Sequence, residues 1–367
     1  MILTLTANPS LDRTVSLTSS LKRGEVQRFA SVREDPGGKG VNVTRALVTC
    51  GIPSCAVLPG GPNDPVVTGL HRAGIPIATA PITEPLRTNL TLTEPDGTTT
   101  KLNAQGPPLS ENTLRELTTL LIGVHPSFND NEALLTDNRT VSINNHTFRP
   151  ENNAQAPLLR NGTGPANGDA PQTQGPAHIP SWIALCGSLP PQVPPHFYRD
   201  LISTVRQTNP QIRCALDTSG PPLREAVLAS HRPALIKPNA EELTQILGHG
   251  DPAQLEQNPA SVASLARDLI GSGLEAVLVT LGGAGAVLVT TAGAWHACAP
   301  KITVRSTVGA GDCSLAGYLT GRLLGDDEPS CLRRAVAHGS AAAALPGTAM
   351  PTPDLIRPDA VTVTSIP

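Results

Sequence analysis

The sequence predicts an α/β fold built on a mainly parallel sheet, and three observations carry the prediction. From residue 182 onward, short apolar runs of strand length (183–185, 212–216, 234–236 and 276–280) alternate with helix-period segments (197–206, 241–247 and 262–270). That order is expected when each strand is followed by a helix lying on one face of a parallel sheet. Two longer helical patterns, 312–324 and 331–345, close the chain. Its 367 residues, 39% hydrophobic and 16% charged, are enough to bury one large core.

Taken in order, residues 2–7 read as a first strand and, after two further β-like runs, 41–50 read as a helix stopped by Gly51. Residues 55–58 form a short apolar run of buried-strand type. The runs 87–93 and 98–102 flank Pro95-Asp96-Gly97, a turn signal between alternating segments, and predict a hairpin. A helix fits 111–122. Between 125 and 180 the composition shifts to Asn, Gln, Pro, Gly and Thr without a sustained period. Such a tract buries too little apolar area to offset the entropy of ordering it, so a mobile insertion is expected. Asn138, Asn145 and Asn161 open glycosylation-type triplets there, matches that an Asn- and Thr-rich tract produces by chance.

Composition narrows the function. The formal net charge is −3, and no Lys/Arg block marks a nucleic-acid or membrane-surface partner. The seven cysteines are scattered without a Cys-x-x-Cys pair, none of the nine histidines has metal-ligand spacing, and no apolar stretch is long enough to span a bilayer. The N-terminal segment lacks the pattern of a secretory leader, so a reduced, cytoplasmic protein is expected.

Chemistry concentrates in a few segments. Thr307-Val308-Gly309-Ala310-Gly311-Asp312 ends a β-like run and opens a long helix. Small residues at a helix start expose N–H groups to an anion, and a carboxylate at that mouth can take a proton from a hydroxyl. The alternative is a glycine turn with Asp312 as a helix cap. Lys237-Pro238-Asn239-Ala240-Glu241-Glu242 follows a strand and opens another helix. Asn239 and Glu242 suit either water-mediated Mg²⁺ or a capping box. The segment 278–285 runs from a strand into Gly282-Gly283-Ala284-Gly285 and then a second strand. It reads equally as a close approach to a nucleotide or as a tight hairpin. Gly37-Gly38-Lys39-Gly40-Val41-Asn42 precedes a helix and looks like a polyol site, with Asp12 and Asn8 just after the first strand. Arg87 and Lys101 fall on the two arms of the hairpin, where converging cations would suit a phosphate ester and solvated strand charges are the plainer reading.

These segments occur together in the order shown by the ribokinase-like PfkB carbohydrate kinases, and the resemblance covers the chain outside 125–180. The segments 6–12, 87–89, 101–103, Gly187-Ser188-Leu189-Pro190-Pro191 and Leu216-Asp217-Thr218-Ser219-Gly220 look like the branch containing 1-phosphofructokinases and tagatose-6-phosphate kinases. The resemblance implies a three-layer α/β/α domain with a small β lid formed near 12–35 and 87–103, and lids that pair subunits into homodimers. It implies Asp312 as catalytic base and Gly309, Ala310 and Gly311 as the anion hole. Asp12, Gly38, Lys39, Asn42 and Ser188 would hold the sugar, and Arg87 and Lys101 its existing phosphate. ATP would lie against Lys237, Asn239, Thr280, Gly282, Gly283, Gly285 and Gly311, with Mg²⁺ on Asn239 and Glu242 through water. Gln192, Gln105 and Cys313 depart from the usual pattern, which has Gly, Pro and Ser there. The implied reaction is ATP-dependent phosphorylation of fructose 1-phosphate. Tagatose-6-phosphate or 6-phosphofructokinase activity is the alternative within the class, and a catalytically silent sugar-phosphate sensor the alternative outside it.

Overall fold

The computed structural model describes residues 1–123, 134–136, 139–142 and 179–367. The N-terminal half contains β1 (Ile2–Thr6), β2 (Ser10–Leu17), β3 (Phe29–Gly37), α1 (Lys39–Thr49), β4 (Ser54–Pro59), α2 (Pro65–Arg72) and β5 (Ile77–Ala80). It continues through the hairpin of β6 (Arg87–Thr93) and β7 (Thr99–Leu102) into α3 (Glu111–Gly123), with β8 (Leu134–Thr136) and β9 (Arg139–Ser142) beyond it. The second half runs β10 (Trp182–Cys186), α4 (Phe197–Thr208), β11 (Arg213–Asp217), α5 (Gly220–Val227), β12 (Leu235–Ile236), α6 (Ala240–Leu247), α7 (Pro252–Gln257) and α8 (Pro259–Gly271). It ends with β13 (Ala276–Thr280), β14 (Ala286–Thr290), β15 (Gly293–Cys298), α9 (Ala310–Leu324), α10 (Glu328–Ala343) and β16 (Thr362–Ile366).

Twelve strands form one sheet in the order β16-β15-β14-β13-β12-β11-β10-β1-β4-β5-β9-β8. The seven central strands, β13 to β5, are parallel, while antiparallel strands extend both sides. Period-two alternation sends Leu3 and Leu5 of β1 into a core shared with α3 to α8, and Ile2 into a second core with α1, α9 and α10. The sheet is therefore covered on both faces, as the alternating pattern predicts. A separate four-stranded sheet, β3-β2-β6-β7, contains the predicted hairpin. Its β2 pairs parallel with β6 and antiparallel with β3.

Beyond the expected strands the structure adds β5, β15, the Thr-rich edge strand β16 with little apolar signal, and the pair β8–β9 inside the tract expected to be a mobile insertion. The rest of that tract as far as 178, with Asn138, Asn145 and Asn161, lies outside the described residues. Among the described residues Gln192 is the one non-glycine with positive φ, at 68°. Left-handed backbone is costly for a residue with a Cβ, which gives a physical reason for the glycine usual at this position in the resembling family. No helix among the described residues is long and apolar enough to cross a membrane.

Candidate active site

The site lies along the carboxyl ends of the central strands, where open α/β sheets bind ligands. There β1, β10 and β11 run in register, so that Thr6, Cys186 and Asp217 stand side by side. α1 begins next to them at Lys39, and α9 begins at Ala310. The turn into α1 passes so close to β1 that a Cβ on Gly38, whose φ is 117°, would come within 2.6 Å of Thr6 Cγ2.

Two carboxylates organise the centre. Asp217 is fully buried at the end of β11; its Oδ1 accepts from Lys39 Nζ at 2.8 Å, and its Oδ2 lies 3.0 Å from Lys237 Nζ. Burial disfavours its charge, but the two ammonium groups outweigh this and hold its pKa below the ordinary carboxylate value. For Lys39, burial is likewise opposed by the carboxylates of Asp217, Glu242 and Asp312, and its pKa is raised. Asp312 lies in the first turn of α9 and is 7% exposed. Its Oδ2 accepts from Asn42 Nδ2 at 2.8 Å. Burial and the neighbouring Asp217 charge push its pKa up to about 6, against the pull of Lys39, Asn42 and Lys237.

The helix-cap alternative for Asp312 is not realised, because Gly309 is the N-cap of α9 and no side chain caps that helix. The first-turn N–H groups of Gly311 and Asp312 therefore remain available to an anion. Gly311 leaves room for the Lys237 ammonium, which would lie 3.4 Å from a Cβ there. At Asn239 the cap reading is realised. Its Oδ1 accepts from Glu242 N at 2.8 Å and its N–H donates to Glu242 Oε2 at 3.0 Å. The Glu242 field on Lys39 nevertheless places that carboxylate beside the site. Oε2 of Glu242 is taken by the cap, and no cluster of three acidic, His or Cys ligands exists among the described residues.

Asp12 projects from β2 onto the same face of the small sheet as Asn89 and Arg87 of β6. Its Oδ1 accepts from Ser10 Oγ at 2.8 Å and Asn89 Nδ2 at 3.0 Å, while burial raises its pKa against those bonds. Asn8 Nδ2 reaches Ser188 Oγ at 3.3 Å, which brings the small sheet's base to the loop after β10.

Three expectations need adjustment. Arg87 and Lys101 share a face but do not converge. Lys101 stands opposite Thr91, four residues or about 13 Å along β6 from Arg87. Arg87 is held by the carbonyls of Ala104 and Asn8 at 2.9 and 3.0 Å, and Lys101 is exposed. Gly285 is explained by packing, because a Cβ there would overlap the Ala297 carbonyl of β15; Gly282 and Gly283 are exposed in the turn. Lys39, expected to hold the sugar, is instead paired with Asp217 at 2.8 Å. The residue that sequence reasoning missed is Asp217, quoted only as part of a motif; its signal was a carboxylate ending a strand of otherwise apolar character.

The profile of the pfkB family of carbohydrate kinases matches residues 6–152 and 176–355. The chain belongs to this family. As a pfkB carbohydrate kinase it is a phosphotransferase acting on an alcohol group. It is 32% identical to a 1-phosphofructokinase of Rhodobacter capsulatus, covering 99% of this chain and 96% of that protein. It is 31% identical to a 1-phosphofructokinase of Xanthomonas campestris pv. campestris, over 91% and 88% of the two chains. Among solved structures, Escherichia coli phosphofructokinase-2 in complex with substrates and products superposes with a TM-score of 0.76 at 25% identity, covering 97% of both chains. An Arabidopsis thaliana ribokinase shares the fold, with a TM-score of 0.62 at 16% identity over 97% of both chains.

Proposed function

We propose that this pfkB kinase transfers the γ-phosphoryl group of ATP to fructose 1-phosphate, giving fructose 1,6-bisphosphate and ADP. The observation that carries the reading is Asp312, buried at the mouth of α9 beside uncapped N–H groups and two lysines. The sugar's C6 hydroxyl gives its proton to the Asp312 carboxylate as its oxygen bonds to the γ-phosphorus, and the bond from that phosphorus to the ADP oxygen breaks. The Gly311 and Asp312 N–H groups, with Lys237, face the charge on the transferring group. Such a site works by positioning and fixed charge, as phosphoryl transfer requires. A Mg²⁺ ion bound with ATP would be held through water by the Glu242 oxygen that the cap leaves over, and would supply charge to neutralise the phosphates. Asp12 and Asn42 hold sugar hydroxyls, and Arg87 holds the existing phosphate. The names of the sequence relatives support fructose 1-phosphate over other ketohexose phosphates.

ADP release measured with fructose 1-phosphate, fructose 6-phosphate, tagatose 6-phosphate, fructose and ribose tests the assignment. The highest kcat/KM is expected for fructose 1-phosphate; a preference for fructose 6-phosphate or tagatose 6-phosphate would move the chain to the neighbouring activity.

Val32 and Leu102 are exposed on the face of the small sheet turned away from Asp12, with exposed Phe29 at the strand end. This supports pairing of two copies through the small sheet. Light scattering should give twice the chain mass, falling to one chain in Val32→Asp/Leu102→Asp; an unchanged mass in that variant would rule the surface out. All seven cysteines are free, which supports a reducing, cytoplasmic setting.

A further inference from the structure

Arg45 projects from the second turn of α1 into the seam between the small sheet and the catalytic centre. Its Nη1 lies 3.3 Å from Asn42 Oδ1 and 3.3 Å from the Pro36 carbonyl of β3, and a guanidinium nitrogen has a proton for each. Both acceptors lead to residues already placed in the site. Asn42 donates to Asp312 at 2.8 Å. Pro36 precedes Gly37, whose backbone passes against the Asp12 carboxylate, and the Pro36 ring is seated on α2 where a Gly69 Cβ would come within 2.7 Å.

The Asn42 amide has two ends that differ in chemistry and little in shape. An arginine can only donate and an ionised carboxylate only accept, so an amide between them satisfies both in one orientation: oxygen toward Arg45, NH₂ toward Asp312. Without Arg45 the Asn42 oxygen loses the donor that holds it, and the Asp312 carboxylate alone is left to orient the amide. The flipped amide would turn its oxygen onto the Asp312 carboxylate.

We propose that Arg45 is a positioning residue for phosphoryl transfer, orienting the Asn42 amide toward Asp312 and tying it to strand β3 beside Asp12, so that base and sugar-holding edge stay in one register. The inference rests on the reading of Asp312 as base. The charged and titratable groups facing Arg45 are Arg33 and Asp35 of β3, Asp12 of β2 and Cys313 of α9. Asp35 is itself paired with Arg33, at 2.8 Å.

The test is a double-mutant cycle on the full-length enzyme with fructose 1-phosphate and MgATP. Arg45→Met should lower kcat by roughly tenfold, less than the ~10²-fold that outright misplacement or loss of an acid–base group costs, because Asn42 itself remains. It should also move the acid limb of the kcat–pH profile to higher pH, because a carboxylate that loses a donated hydrogen bond holds its proton more tightly. Arg45→Lys, which keeps a donor, should recover part of both. In an Asn42→Ala background Arg45→Met should cost nothing further in kcat, since the amide through which it acts is gone. A wild-type kcat and acid limb in Arg45→Met, or the same loss with and without Asn42, would overturn the inference. Should Arg45→Met fail to fold, Arg45→Lys and Arg45→Gln carry the same cycle. An Asp312→Asn kcat within about tenfold of wild type would instead strike the base assignment itself, so the two failures are separable.

Discussion

Asp312→Asn is expected to lower kcat by about 10²–10⁴-fold, the usual span for removing a positioned base, with little change in KM for either substrate. Asparagine keeps the shape and can still meet Asn42 but cannot accept the hydroxyl proton. The fold should survive, and the reason lies in the sign of the pKa shift. Burial and Asp217 raise the Asp312 pKa from 3.8 to about 6, so its stabilising contribution is fully present below 3.8 and lost as pH rises through about 6. Replacing an ionised group at neutral pH with a neutral isostere therefore leaves the melting temperature at or above wild type. The same shift sets the pH dependence of the native enzyme. Catalysis needs the ionised form, so kcat should decline as pH falls through about 6. An acid limb near the ordinary carboxylate range would mean that another group limits the rate.

Asp217→Ala should produce the largest loss of stability. It leaves Lys39 and Lys237, held at 2.8 and 3.0 Å, without their shared counter-charge, and Lys237 is only 5% exposed. Breaking a buried pair by removing one partner costs about 3–5 kcal/mol, to be read from the midpoint of urea unfolding. Turnover should collapse as well, because Lys237, proposed to face the transferring phosphoryl, is no longer fixed by its carboxylate. Removing Lys39 in addition, as Asp217→Ala/Lys39→Met, should restore part of the stability and none of the activity. A single Asp217→Ala variant that unfolds at the wild-type midpoint would show that the lysines find other partners.

The site was legible where several local signals coincide. Gly309 to Asp312 combine small residues with a helix start, which left an anion hole and a capped glycine turn both open; the β-like run expected before them is not a strand, since 299–308 carry none. The central strands other than β5 were legible because burial on both faces leaves apolar runs that few other structures produce; β5, four residues of Ile-Ala-Thr-Ala, is too short and small-chained to stand out. Asp217 was not, since its role exists only after folding brings β11 to α1 across a separation of 178 residues. Asn239 and Glu242 were ambiguous for a physical reason: the same three-residue spacing that caps α6 presents a carboxylate to the site. The hairpin cations show the opposite failure. Alternation placed Arg87 and Lys101 on one face correctly, but only the register of β6 and β7 reveals how far apart they stand. At the sheet edge, β16 had little to announce it, because an edge strand with one covered face needs few apolar residues.

The most direct test of the central claim is ³¹P NMR of the purified enzyme incubated with ATP, Mg²⁺ and fructose 1-phosphate. The account predicts ADP together with a second phosphomonoester resonance on the sugar, coupled to the C6 protons, both appearing at least about 10²-fold more slowly with Asp312→Asn. Release of inorganic phosphate in place of that ester, or an unchanged spectrum from the wild-type protein, would contradict it.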